Sequence, residues 1–252
     1  MAAVPVLPIP TPEEAPLSEG ARIVNTFLAP HRTFLDLRRN ASWWAPFLLL
    51  SIVTLGFFYT IDQKIGFRKV AENQIQQSPK LADRLARLPA DQQIQAIGRQ
   101  AAGLRYFLYG YPAVILLSNL IIAGLLFATF KFAGGADLKF KTSYAIVMYA
   151  CLPLLVKTLL ATAALAAGAN PDTFVLQNPV ATNPGYFLSP ADSPFLFSLA
   201  SAADIFMIWT LILTAIGFAA VTKLKRSTAL AVVFAWYLVF ALGSATSAGV
   251  FS

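Results

Sequence analysis

Apolar positions in this chain gather into long runs, with the polar positions confined to the stretches between them. Two runs, 106–130 and 143–167, are joined by the short connector Lys131-Phe132-Ala133-Gly134-Gly135-Ala136-Asp137-Leu138-Lys139-Phe140-Lys141. Each is long enough to cross a hydrocarbon core of roughly 30 Å, which takes about 20 helical residues. Lipid offers backbone N–H and C=O groups no partner, so only a helix can make such a crossing here. Runs of the same kind lie at 41–61, 204–222 and 228–250. The pattern predicts an all-α fold: a polytopic membrane helical bundle with five transmembrane helices, spanning about 41–61, 106–130, 143–167, 204–222 and 228–250.

The stretches between the runs differ in character. Met1–Ala21 carries Pro at 5, 8, 10, 12 and 16 with Glu13, Glu14 and Glu19. That density of proline predicts a disordered tail over 1–21, with the membrane domain occupying 22–252. The tail has no apolar core of a cleavable signal, so insertion through the first span is expected. Ser18 can cap a short helix carrying Ile23, Val24, Phe27 and Leu28; after Pro30, Thr33 can cap a second with Phe34 and Leu37. Two short amphipathic pieces before a span are expected to lie in the membrane interface. Trp43 and Trp44 form an aromatic belt, and Pro46 suits the first turn of span one.

Residues 62–105 break the membrane pattern. Leu81, Leu85 and Leu88 at helical spacing predict an amphipathic helical insertion, a cap on the membrane surface. Residues 170–203 hold five Asn-Pro or Ser-Pro dipeptides and no Lys or Arg, which predicts turns and extended backbone, either a lid or a flexible loop. Span five carries Ala241, Ala245 and Gly249 with Gly243 and Ser247, small residues that let helices approach closely within the chain or between two copies.

Composition removes the soluble classes. Of 252 residues 57% are hydrophobic and 12% charged, against about 25% charged in soluble domains. The net charge of +7 comes from Lys and Arg flanking the runs, which fits anionic headgroups; no nucleic acid is implied. The connectors after spans two and four each hold three Lys or Arg, the tail four, and the loop at 170–203 none. The eight in 62–105 oppose the vote, but the short connectors decide it: N-terminus cytoplasmic, C-terminus outside. Cys151 is the only cysteine and excludes an intramolecular disulfide.

Candidate chemistry is sparse. His31 is the only histidine, which excludes histidine-based metal clusters; no Walker-type phosphate loop and no paired intramembrane carboxylates occur. No enzyme, cofactor or metal is expected. Lys157, near the middle of span three after Pro153, is the exception. An ammonium at mid-bilayer costs at least roughly 2.5–3.5 kcal/mol and should face the bundle interior. Asp204, at the outer start of span four, is the candidate partner for an intramembrane polar pair.

Several short motifs occur in order: Phe27-Leu28-Ala29-Pro30 with Phe34, Trp43-Trp44-Ala45-Pro46, Gly134-Gly135 with Phe140 and Lys141, Tyr149-Ala150-Cys151-Leu152-Pro153, and Phe206-Met207-Ile208-Trp209 with Ile216-Gly217. Together, across roughly 22–250, they resemble bacterial members of the Yip1 domain family. The motif positions are Pro30, Trp44, Pro46, Gly134, Gly135, Pro153, Trp209 and Gly217. The resemblance implies a five-span helical domain with a cytoplasmic N-terminus. Eukaryotic relatives are membrane-trafficking factors that bind Rab-type GTPases and partner membrane proteins. Their Asp-Leu-Tyr-Gly-Pro signature corresponds here only to Phe27-Leu28-Ala29-Pro30, and the 62–105 insertion is longer than the family's core pattern.

The resulting expectation is a non-enzymatic scaffold or organiser in a bacterial cytoplasmic membrane, with membrane lipids and another membrane protein or a second copy as partners. The alternative is a small-solute or ion permease with Lys157 lining the path.

Overall fold

The computed structural model describes residues 15–222 and 224–251. Residues 1–14 of the expected disordered tail lie outside the described residues. The chain forms α1 (Glu19–Leu28), α2 (Pro30–Asp36), α3 (Trp44–Lys64), α4 (Phe67–Gln76), α5 (Pro79–Ala86), α6 (Ala90–Tyr109) and α7 (Tyr111–Ala128), the last continued by a π turn at Thr129–Ala133. There follow α8 (Phe140–Ala150), α9 (Leu152–Ala166), α10 (Pro194–Ala202), α11 (Ile205–Thr222) and α12 (Arg226–Phe251). No strand occurs among the described residues.

Five stretches are long and apolar enough to cross a membrane: Trp44–Lys64, Tyr111–Ala133, Phe140–Ala166, Ile205–Thr222 and Arg226–Val250. The protein is a multi-pass, all-helical integral membrane protein. Its boundaries differ from the hydropathy reading in physical detail. Helix α1 starts at Glu19, inside the expected tail, because Ser18 Oγ accepts from Ala21 N at 3.2 Å and caps the helix. Span two starts at Tyr111 rather than 106: the polar helix α6 runs on to Tyr109 and breaks at Gly110, since Pro112 fits only a first turn. Pro153 likewise divides span three into α8 and α9 at Cys151.

Helix α8 is the axis of the bundle. Every residue from Thr142 to Ala150 is buried, with Ile146, Met148 and Tyr149 fully so. Helices α1, α3, α7 and α11 pack around the axis, and the Phe130 and Phe218 rings stack at 4.6 Å between α11 and the π turn. Helices α4 to α6 form the cap. Asn73 Nδ2 donates to the carbonyls of Pro171 (2.8 Å) and Phe174 (3.1 Å), and Lys69 pairs with Asp172 at 2.6 Å. That hydrogen bond raises the Lys69 pKa above its ordinary value. The cap and the 170–203 loop therefore share one side of the bundle.

Candidate functional site

The loop at 170–203 folds back into the bundle. Helix α10 runs antiparallel along the C-terminal half of α12: Phe195 lies against Gly249, Ser198 and Ser244 hydroxyls are 3.3 Å apart, and the Tyr237 hydroxyl donates to the Ala202 carbonyl at 2.6 Å. Its partner face on α12 is the small-residue face, where Ala241 and Ala245 are buried. Small side chains let the two backbones approach closely, and that face is occupied within the chain. The chain therefore reaches span four through α10, and the break between α10 and α11 lies beside Tyr237, near the middle of α12.

Asp204 sits at this break. Its Oδ1 accepts from Phe206 N (3.0 Å) and Met207 N (3.2 Å), capping the first turn of α11. Its Oδ2 accepts from Lys157 Nζ at 2.8 Å, from Asn183 Nδ2 at 3.2 Å and from the Thr182 hydroxyl. Asn183 and Asn178 exchange amide hydrogen bonds at 2.9 and 2.7 Å, and the Thr182 carbonyl accepts from Ile205 N at 3.1 Å. Such saturation is what lipid depth demands of a carboxylate, because an unpaired charge there costs several kcal/mol. The two partners are unequally hidden. The Asp204 side chain is 4% exposed and that of Lys157 22%.

A second polar centre lies in the N-terminal helical hairpin. Arg22 Nε meets Asp36 Oδ2 at 2.7 Å, Arg22 NH1 meets Glu19 Oε1 at 3.2 Å, and Glu19 Oε2 accepts from the Tyr149 hydroxyl of α8 at 2.5 Å. Thr26 and Thr33 both donate to the Arg22 carbonyl, at 2.8 and 3.0 Å. Thr33 lies inside α2 rather than capping it, because Pro30 already opens that helix. The expected interfacial placement is corrected here. The hairpin runs along α11, with the Phe27 ring edge-on to Trp209 at 5.6 Å and the Phe34 ring against Gly217. Those two positions are eight residues, or about 12 Å, apart along the helix. The amphipathicity of α1 is inverted: Arg22 and Thr26 are buried, while Val24 is 54% and Leu28 79% exposed. A helix resting on headgroups would point its polar face outward.

A cleft of about 810 Å³ separates α7 from α12. Ser118, Ile121, Ile122 and Leu125 line one wall, and Val233, Trp236, Tyr237 and Phe240 the other. At the end nearer the π turn the Trp236 Nε1 donates to Thr129 Oγ1 at 3.1 Å and closes the walls together. Lys157, Thr158 and Gln177 also line the cleft, on the side of the 170–203 loop. Thr210 also lines the cleft, and its buried hydroxyl has no hydrogen-bond partner among the described residues. Sequence reading did not reveal this cleft, whose walls come from segments more than 100 residues apart.

The structure brings some motif positions together and keeps others apart. Trp209 and Gly217 both lie on the hairpin seam, against Phe27 and Phe34 respectively, and Pro30 opens the helix that carries Phe34. Trp44 is exposed beside the buried Pro46 at the start of α3, and Pro153 sits in the first turn of α9. Gly134 leaves no space for a side chain, since a Cβ would lie 2.7 Å from the Phe130 carbonyl, and Gly135 adopts φ +64°. These are turn, packing and capping positions. Among the described residues no three His, Cys, Asp or Glu side chains converge on a metal-sized site.

Comparison with known proteins finds no matching curated protein and no matching solved structure. The model of the Yip1 domain matches residues 24–246, which takes in the hairpin seam, the Lys157–Asp204 junction and nearly all of the five spans, so the chain belongs to the Yip1 domain family.

Proposed function

We propose that this Yip1-family protein is a non-enzymatic organiser of membrane components, a scaffold whose partners are lipids and another membrane protein or a second copy. One observation carries the reading. The charged side chains Lys157 and Arg22 find their counter-charges within the bundle, Lys157 in Asp204 and Arg22 in Asp36 and Glu19. Contact surfaces remain outside: α5 buries none of its residues, and Leu28 stands exposed at the tip of the hairpin. The N-terminus faces the cytoplasm of a bacterial cell and the cap faces outward, as the distribution of Lys and Arg favours.

A second reading, a small-solute permease, is favoured by the break within span three at Cys151 and the break ahead of span four at Asp204, beside a cavity that Lys157 lines. Interrupted helices near mid-membrane are where secondary transporters bind their solutes.

Photo-cross-linking in native membranes, with probes at Leu28, Leu85 and the exposed Leu242 of α12, separates the two. A reproducible protein partner or self-dimer at any probe supports the scaffold. Lipid adducts alone at all three, together with solute flux in liposomes that Lys157→Met abolishes, transfers the conclusion to the permease.

A further inference from the structure

We propose that the cleft between α7 and α12 binds a phospholipid, one acyl chain lying between the two helices and the phosphate against the Lys157 ammonium. The proposal goes beyond the organiser reading and holds whether or not a protein partner is found.

Shape comes first. On α7 the lining runs from Tyr111 to Leu126, a rise of about 22 Å at roughly 1.5 Å per residue. One leaflet of the hydrocarbon core is about 15 Å deep, half of the full ~30 Å. An extended chain from the outer leaflet therefore fits along the groove. The walls stand between two spans, and Ile121 (67% exposed) and Phe240 (52%) lie at its mouth. The groove is closed at the inner end by Trp236 and Thr129, so a chain enters from the side or from the outer end.

Polarity comes second. Within the cleft the acidic partner is concealed and the basic one shows, at 4% against 22% side-chain exposure. An ammonium has three donors. Asp204 Oδ2 takes one Lys157 proton, which leaves donors to face the cleft beside Thr158 and Gln177. A phosphate matches that arrangement, as a charge-assisted acceptor at a strong donor. Thr210, buried and without a partner among the described residues, supplies a further donor on the same wall system for a lipid ester carbonyl.

The test uses the full-length protein in vesicles of equal parts phosphatidylcholine and phosphatidylglycerol, with a trace of phosphatidylglycerol carrying a diazirine in one acyl chain. After illumination, adducts are mapped by mass spectrometry. The expected result is enrichment at Ile121, Ile122 and Phe240 over the lipid-facing Leu117 and Leu238. Ser118→Trp, which fills the groove from an exposed position, should lower cleft adducts about ten-fold, equivalent to ~1.4 kcal/mol of affinity, and leave those at Leu117 and Leu238 unchanged. The double variant Lys157→Gln with Asp204→Asn keeps a neutral, hydrogen-bonded pair and should lower them similarly. Cleft labelling no higher than at Leu117 and Leu238, or unmoved by Ser118→Trp, overturns the site. Equal cleft labelling by a diazirine-bearing fatty alcohol, which lacks the phosphate, overturns the assignment to a phospholipid.

Discussion

The ring of Phe34 occupies the space that a side chain at residue 217 would need. A Cβ built on Gly217 would stand 3.0 Å from Phe34 Cδ1 and 2.5 Å from Ile146 Cγ2. The hairpin, α8 and α11 thus meet at a point where one residue has no side chain, and the close approach of the hairpin to span four depends on it.

Gly217→Ala should therefore destabilise the protein. Both neighbours are fully buried and cannot swing into solvent, so the cost falls in the range of about 1–3 kcal/mol for overpacking. Thermal unfolding in detergent, followed by helical circular dichroism, should show a lower midpoint, and Gly217→Val a lower one still.

Removing one partner of the Lys157–Asp204 pair should cost more than removing both. Lys157→Met strands the buried Asp204 carboxylate, for which about 3 kcal/mol is the low end expected of a broken buried pair. Adding Asp204→Asn should recover part of the loss, because it removes the stranded buried charge, although one amide oxygen can serve either the cap of α11 or Thr182 and Asn183 and not both. A double-mutant cycle on unfolding that returned no coupling energy would remove the pair from the account of stability.

Releasing the hairpin should be visible chemically. In a Cys151→Ser background, Thr33→Cys places a thiol at a fully buried position and should react slowly with a maleimide. Asp36→Asn removes the carboxylate from Arg22 and should speed that reaction about ten-fold or more, since even ~1.4 kcal/mol of lost closure gives a ten-fold rise in the open form. An unchanged rate would mean that the apolar contacts of Phe27 and Phe34 hold the hairpin unaided.

The proposed orientation has its own test. Asn40 precedes span one and Asp192 lies in the 170–203 loop, and both are exposed. In the same cysteine-free background, a membrane-impermeant thiol reagent applied to intact cells should label Asp192→Cys and spare Asn40→Cys until the membrane is opened. The reverse pattern would invert the protein.

Five spans were legible in the chain because lipid imposes one demand, length without charge, that hydropathy measures directly. Lys157 was conspicuous for the complementary reason, as a lone cation in a run that should hold none. Other features depend on information that periodicity lacks. The 3.6-residue period of α1 shows that the helix has two faces, but not that Arg22 has a partner inside the bundle, which turns its polar face inward. The prolines of 170–203 announce turns, but not that Pro194 opens an apolar helix matched to Ala241 and Ala245. Nor does anything local indicate that Thr182 and Asn183 reach Asp204, 22 and 21 residues on. The cleft is a property of two helices diverging, and no single segment contains it.

The break ahead of span four also bears on the order in which the protein can be built. Helix α10 is too short to cross a bilayer, and its packing surface is the C-terminal half of α12, which the ribosome makes later. Until α12 exists, Phe195 and Ser198 have no helix to pack against and the Ala202 carbonyl lacks the Tyr237 hydroxyl. Thr182 and Asn183 can reach Asp204 before then, since that contact needs only the loop, α9 and the start of α11. The seating of α10 is therefore a late folding step, completed only once the last helix has been made.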